Sequence, residues 1–151
     1  AGYPDDFIDG AARFDAAGRP NPVTLPMLAE SLRLLSTWGG PKAVQAHCDQ
    51  LAAALRAGLA RIRLADGSLA YAWDPDGSGH IVGVRPSAAA QRAGLDGLAL
   101  GDIVSARSIV LSVRAGGLRV AFWLYNSLRD VDVLLDALRA AVPSDVLSAR
   151  L

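Results

Sequence analysis

Apolar positions recur at three and four along residues 25–38, where Leu25, Leu28, Leu32 and Leu35 make one face. That spacing predicts a helix from about Leu25 to Trp38, with Thr24 as its cap and Pro26 tolerated in the first turn. Gly39 and Gly40 stop it, and Pro41 opens a second helix to about Ile62. The second apolar face carries Val44, Leu51, Leu55, Leu59 and Ile62. The short Gly-Gly-Pro connection predicts that the two helices are antiparallel neighbours. From Asp66 the period changes. Residues 69–73 and 80–85 read as short strands around the turn-rich run Asp74-Pro75-Asp76-Gly77-Ser78-Gly79. Residues 86–96 are mostly loop with a helical turn around Ala88–Arg92, and Leu98–Ser105 forms a short helix. Ile109–Val113 and Leu118–Trp123 are strands joined by the tight loop Arg114-Ala115-Gly116-Gly117. Ser127 and Asp130 form a capping box for a last helix to about Ala141, with Val131, Leu134, Leu135 and Leu138 inward and Pro143 beyond its end.

The order α-α-β-β-α-β-β-α predicts an α+β fold: two antiparallel N-terminal helices, a small and mainly antiparallel sheet, and a C-terminal helix. Residues 1–23 have no sustained periodicity and read as an extended arm, inter-subunit or inter-domain, ahead of a domain over 24–151. The chain opens without an initiator methionine or a signal-peptide pattern, so its start reads as a cut end.

Composition narrows the function classes. With 151 residues and 52% hydrophobic content, the chain suits one ordinary domain and not a disordered segment. A net charge of +0 argues against a nucleic-acid binder. No stretch approaches the ~20 uncharged apolar residues of a membrane span. Cys48 is the only cysteine, which excludes a disulfide scaffold and fits a reducing, cytoplasmic compartment. Lys42 is the only lysine, so fourteen of the 15 basic residues are arginine. Any reaction that needs a lysine amine has a single candidate.

Most candidate chemistry dissolves under its bland reading. His47 and Cys48 are adjacent on a helix and point about 100° apart, so they do not share a metal; they read as a surface histidine and a half-buried thiol. His80, at a strand start, reads as structural. Gly39-Gly40-Pro41-Lys42 opens a helix but lacks phosphate-loop spacing, which leaves Lys42 a solvated first-turn residue. Asp74, Asp76 and Ser78 resemble the start of a calcium loop, yet Pro75 intrudes and no glutamate closes it. Arg114 and Arg119 stand out. They bracket the last hairpin loop on strands expected to be partly buried beside Val113, Val120 and Phe122. A buried arginine there needs a partner, either an acid of the fold or a bound carboxylate or phosphate.

The run Arg119-Val-Ala-Phe-Trp-Leu-Tyr125-Asn126-Ser127-Leu-Arg-Asp130-Val131-Asp132 resembles the C-terminal signature of class V aminotransferase-type enzymes. Arg13-Phe14-Asp15-Ala-Ala-Gly18-Arg19-Pro20-Asn21-Pro22 resembles a second block of that family. The Leu-Pro-Met-Leu helix ending in Trp38-Gly39 and the strand His80-Ile-Val-Gly-Val continue the likeness. It spans nearly the whole chain, but only as the last third or so of a family member.

The resemblance implies the small domain of a fold-type I enzyme that uses pyridoxal 5'-phosphate. It implies that Arg119 binds the α-carboxylate of an amino-acid substrate and that Arg114 faces the same cleft. Gly18, Arg19 and Asn21 fall where the family reaches the cofactor phosphate across a homodimer. Ala121 stands in place of the family serine, Ser127 of its threonine and Arg19 of the threonine of many members. Only Ala115-Gly116-Gly117 follow Arg114, where cysteine desulfurases carry a loop with a catalytic cysteine; aminotransferase, epimerase or kynureninase-type members fit better. The lysine that holds the cofactor and the aspartate on its ring nitrogen belong to a large domain or subunit that would precede residue 1. Lys42 does not match that lysine. The chain therefore reads as a portion of such an enzyme, inactive alone. The alternatives are a free-standing, non-catalytic interaction domain derived from that fold, and an unrelated α+β binding domain.

Overall fold

The structure, a computed structural model, describes residues 9–10, 21–74 and 79–147. It divides the chain into two compact units, Ala1–Thr37 and Trp38–Leu151. The division falls after the first helix, whereas the sequence pattern placed arm and domain on either side of residues 23 and 24.

The first unit contains α1 (Thr24–Thr37). Its cap is Asn21 and not Thr24. The Asn21 side-chain oxygen accepts from the Val23 and Thr24 backbone amides at 2.9 and 3.3 Å, and its carbonyl accepts from Leu25 N. Pro22 then occupies the first helical position, where a missing N–H costs nothing. None of the residues of α1 is buried, so its leucine stripe finds no partner within its own unit.

The second unit begins with α2 (Gly40–Leu59). Gly39 precedes it with φ at +89°, a left-handed conformation in which a side chain is strained. The expected apolar face is buried in full, from Val44 through Leu51, Leu55 and Leu59 to Ile62, and Cys48 and Ala52 join it. The helix ends three residues before Ile62 because its last turn tightens: Arg61 N bonds Gly58 O and Ile62 N bonds Leu59 O.

Four short strands follow in the second unit: β1 (Tyr71–Trp73), β2 (Ile81–Pro86), β3 (Ser112–Arg114) and β4 (Gly117–Ala121). They form one sheet in the order β1-β2-β4-β3 with every neighbour antiparallel. Between β2 and β4 lie α3 (Ala88–Arg92) and α4 (Ala99–Ser105); α5 (Leu128–Ala141) closes the described chain's helices. The fold is α+β, in the element order expected.

One sheet face supplies Val82, Val84, Leu118 and Val120 to the core; opposite lie Leu55 and Leu59 of α2, Leu100 of α4 and Leu138 of α5. Each such side chain contributes roughly 1.5–3 kcal/mol by leaving water. The Tyr71 hydroxyl donates to the Leu138 carbonyl at 2.7 Å and ties the sheet edge to α5. Leu135, expected inward, is half-buried and lies over Gly58 of α2, where a Cβ would overlap it; Ala137 takes the inner position.

Strand ends differ from expectation for local reasons. Leu69 pairs with Arg63 and Ala70 N bonds Ile62 O, which takes both out of β1. Ile109 N closes on Val104 O at the end of α4, so β3 starts only at Ser112.

Candidate functional site

The β3–β4 hairpin turns through Ala115 and Gly116 at φ +47° and +73°. Positive φ at both central residues matches the strand twist and makes a two-residue loop possible. That turn fixes the register: Ser112 faces Arg119, and Arg114 faces Gly117. Side chains alternate across a strand, so Leu118 and Val120 enter the core while Gly117, Arg119 and Ala121 face outward.

The outward face reads as two rows across the strands. In the first, Gly117 is flanked by Arg114 on β3 and by Arg85 on β2; a Cβ on Gly117 would lie 2.9 Å from that of Arg85. In the second, Gly83 on β2 faces Arg119, with Ser112 beyond it. The Asp74 carboxylate reaches over Gly83, where a Cβ would come within 2.7 Å of it. Asp74 also accepts from Arg85 Nη1 at 3.3 Å. Two glycines thus leave a depression between the arginines. The resulting trough, about 290 Å³, is lined by Asp74, Gly83, Arg85, Arg114, Gly117 and Arg119 among others.

Arg114 and Arg119 are therefore brought together on one face, as expected, but they are exposed and not partly buried. The reason is the alternation: their apolar neighbours along the strands turn to the opposite side of the sheet. Neither makes an ion pair among the described residues. Such a guanidinium keeps its planar fork of donors for an external carboxylate or phosphate.

Gly18 and Arg19 lie outside the described residues, as do Pro75, Asp76, Gly77 and Ser78. Asn21 is described, with its side-chain oxygen engaged in capping α1. Lys42 is exposed in the first turn of α2. Among the described residues no group of three His, Cys, Asp or Glu could hold a metal ion.

The Tyr-Asn-Ser segment after β4 is a network of structural bonds. Asn126 Oδ1 accepts from Trp123 N at 2.9 Å, and Asn126 N bonds Trp123 O at 3.0 Å. The Asn126 carbonyl meets His47 Nε2 at 3.0 Å, so His47 is half-buried and not a free surface residue. Ser127 and Asp130 form the expected capping box, with Ser127 N donating to Asp130 Oδ2 at 2.7 Å. Cys48 is only 1% exposed, deeper than expected, and its Sγ points to the Phe122 carbonyl at 3.6 Å. Burial first, and then the nearby Asp49 charge, raise its thiol pKa, which makes it a poor nucleophile. His47 and Cys48 thus have separate partners, as helix geometry required.

Arg85 and Asp74 were missed as site residues. Asp74 reads as a turn acid and Arg85 as a strand end; the β1–β2 and β2–β4 registers, the second joining residues some 35 positions apart, set them on the face of Arg119. No protein-family model matches the chain, and no curated protein matches it. No helix among the described residues is long and apolar enough to cross a membrane.

Proposed function

We propose that this chain is the C-terminal portion, the small domain, of a cytoplasmic pyridoxal-phosphate-dependent enzyme of the class V aminotransferase type. Its part in that enzyme is to grip the α-carboxylate of an amino-acid substrate with Arg119, with Arg114 beside it. A large domain or subunit supplies the chemistry, and a homodimer brings Gly18, Arg19 and Asn21 to the cofactor phosphate. The observation that carries the reading is Arg119 itself: an outward guanidinium without an ion-pair partner among the described residues, over a glycine-lined trough. It is also the arginine that the sequence resemblance marks for carboxylate binding.

The described residues do not make a cofactor site by themselves. Lys42, the only lysine, is exposed at the start of α2, and no acid pairs with it in an ion bridge among the described residues. Asn21 directs its amide oxygen to the first turn of α1. No chemical step is therefore assigned to the cofactor on this chain.

The test is a titration of the chain with butyrate, followed by backbone-amide NMR shifts in β3 and β4. Arg119→Ala is expected to weaken binding at least tenfold, because a charge-assisted bidentate contact is lost. Unchanged binding in Arg119→Ala rejects the carboxylate role. Pyridoxal phosphate added to the chain is expected to give no visible absorbance band of a lysine adduct; a stable band that disappears in Lys42→Ala overturns the claim that this portion is inactive alone.

A second reading, a non-catalytic interaction domain, draws on a different observation. Trp38, Trp123, Leu124 and Tyr125 line an open apolar recess of the second unit, with three large aromatic side chains exposed. Clusters of that kind mark protein contacts.

A further inference from the structure

The trough on the open sheet face contains more positive charge than one carboxylate uses. A carboxylate has two oxygens, and one guanidinium fork can engage both with two parallel bonds. Within the fold, Asp74 accepts a single bond from Arg85 Nη1 at 3.3 Å. Arg119 takes a second carboxylate if the reading above holds. Arg114 is then left over, without an ion pair among the described residues.

The register fixes where that remaining cation stands. Arg119 faces Ser112, and Arg114 is two residues further along β3, facing Gly117. The two arginines are thus diagonal neighbours on one face, a spacing of roughly 7–8 Å along the sheet. Gly117, between Arg114 and Arg85, presents no side chain to fill the gap, and Gly83 beside Arg119 presents none either. Among the described residues the only acid lining this trough is Asp74, and it already has a partner. An anion with two charged ends can engage both guanidinium groups from this open face.

We infer that the site takes a dianionic substrate, an amino acid whose side chain also ends in a carboxylate. Arg119 holds the α-carboxylate and Arg114 the distal one. The inference rests on the reading of Arg119 as a carboxylate grip, and it adds the substrate class. Arg114 is then a specificity-determining residue: it selects for the second charge. Two arginines on a single phosphate would give a dianion site of another kind, with no preference for spaced charges.

The experiment is a low-salt NMR titration of the full chain with glutarate, butyrate and inorganic phosphate, on the parent, Arg114→Ala, Arg114→Lys and Arg119→Ala proteins. Screening is weakest at low salt, which keeps the exposed contacts measurable. Glutarate is expected to bind roughly tenfold more tightly than butyrate or more, since it gains one further charge-assisted contact. Arg114→Ala is expected to remove that preference, so that glutarate falls to the affinity the same variant shows for butyrate. Arg114→Lys, a point charge without the fork, is expected to keep part of it. Equal affinity for glutarate and butyrate overturns the inference, as does a preference that survives Arg114→Ala. Tighter binding of phosphate than of glutarate overturns it too. If Arg119→Ala leaves butyrate binding intact, the underlying carboxylate reading has failed; if butyrate is lost but no Arg114-dependent gain exists, only the dianion inference has. All of these positions are exposed, and a retained amide spectrum checks that each variant folds.

Discussion

Ala115 occupies the first central position of the β3–β4 turn with φ at +47°. A left-handed conformation costs a residue with a Cβ roughly 1–2 kcal/mol, and asparagine tolerates it better because its side chain bonds locally. Ala115→Asn would give the turn an Asn-Gly pair, the strongest two-residue hairpin sequence. The expected gain is about 0.5–1 kcal/mol, read as a rise of a few degrees in the thermal midpoint. An unchanged or lower midpoint would show that the surroundings, and not the dihedral, set the stability of the turn. The tight loop itself was legible, because Arg-Ala-Gly-Gly sits between two apolar runs. Its consequence was only half legible. Sequence marks Arg114 and Arg119 as unusual in strands, but which face each strand presents depends on pairing with β2. That information lies in residues 81–86, far along the chain, and so burial was expected where exposure is found.

Elements with their own local signals were the most legible. The Ser127–Asp130 box starts α5 where the side chains can satisfy its free amides, and α2 follows its apolar stripe. Elements defined by a neighbour were not: Leu69 and Ala70 leave β1 for the chain at 62–63, and Asn21 preempts Thr24 as the cap of α1. Tyr71 is the clearest tertiary link between elements, since its hydroxyl donates to Leu138 of α5 from a fully buried position. Burial raises its phenol pKa far above the ordinary value. The native state therefore keeps the proton while unfolded tyrosine releases it from about pH 10. By linkage, stability from this group is fully present below about pH 10 and falls as pH rises further, by up to about 1.4 kcal/mol per pH unit. The Cys48 thiol, also raised, contributes in the same direction from the ordinary thiol range upward. Tyr71→Phe is expected to cost about 1–3 kcal/mol at neutral pH, where a buried carbonyl loses its donor, and to flatten the alkaline fall. Denaturant midpoints measured from pH 7 to 11 check this. Parallel curves for the two proteins would remove Tyr71 as the cause.

At the scale of the molecule, the second unit has a closed core and an unclosed surface. Its sheet is buried on one face by α2, α4 and α5, while the other face holds the arginine trough. On the same unit, Trp38, Trp123 and Tyr125 are 51%, 43% and 83% exposed around one open recess. Aromatic area of this kind is costly to hold in water at roughly 25 cal/mol per Å², and two copies relieve that cost by pairing. The first unit adds to the imbalance, because none of the residues of α1 is buried despite its leucine stripe. The purified chain is therefore expected to self-associate, with an apparent mass in light scattering that rises with concentration to a dimer or beyond. Trp123→Ser is expected to shift that equilibrium toward monomer without loss of helical signal, because Trp123 lies outside the core. Raising the salt concentration should leave the association intact or strengthen it, which separates apolar pairing from contacts made by the arginines. A monodisperse monomer at every concentration would mean that this surface is tolerated in water as it stands, and dissociation by salt would move the contact from the aromatic recess to the charged face of the sheet.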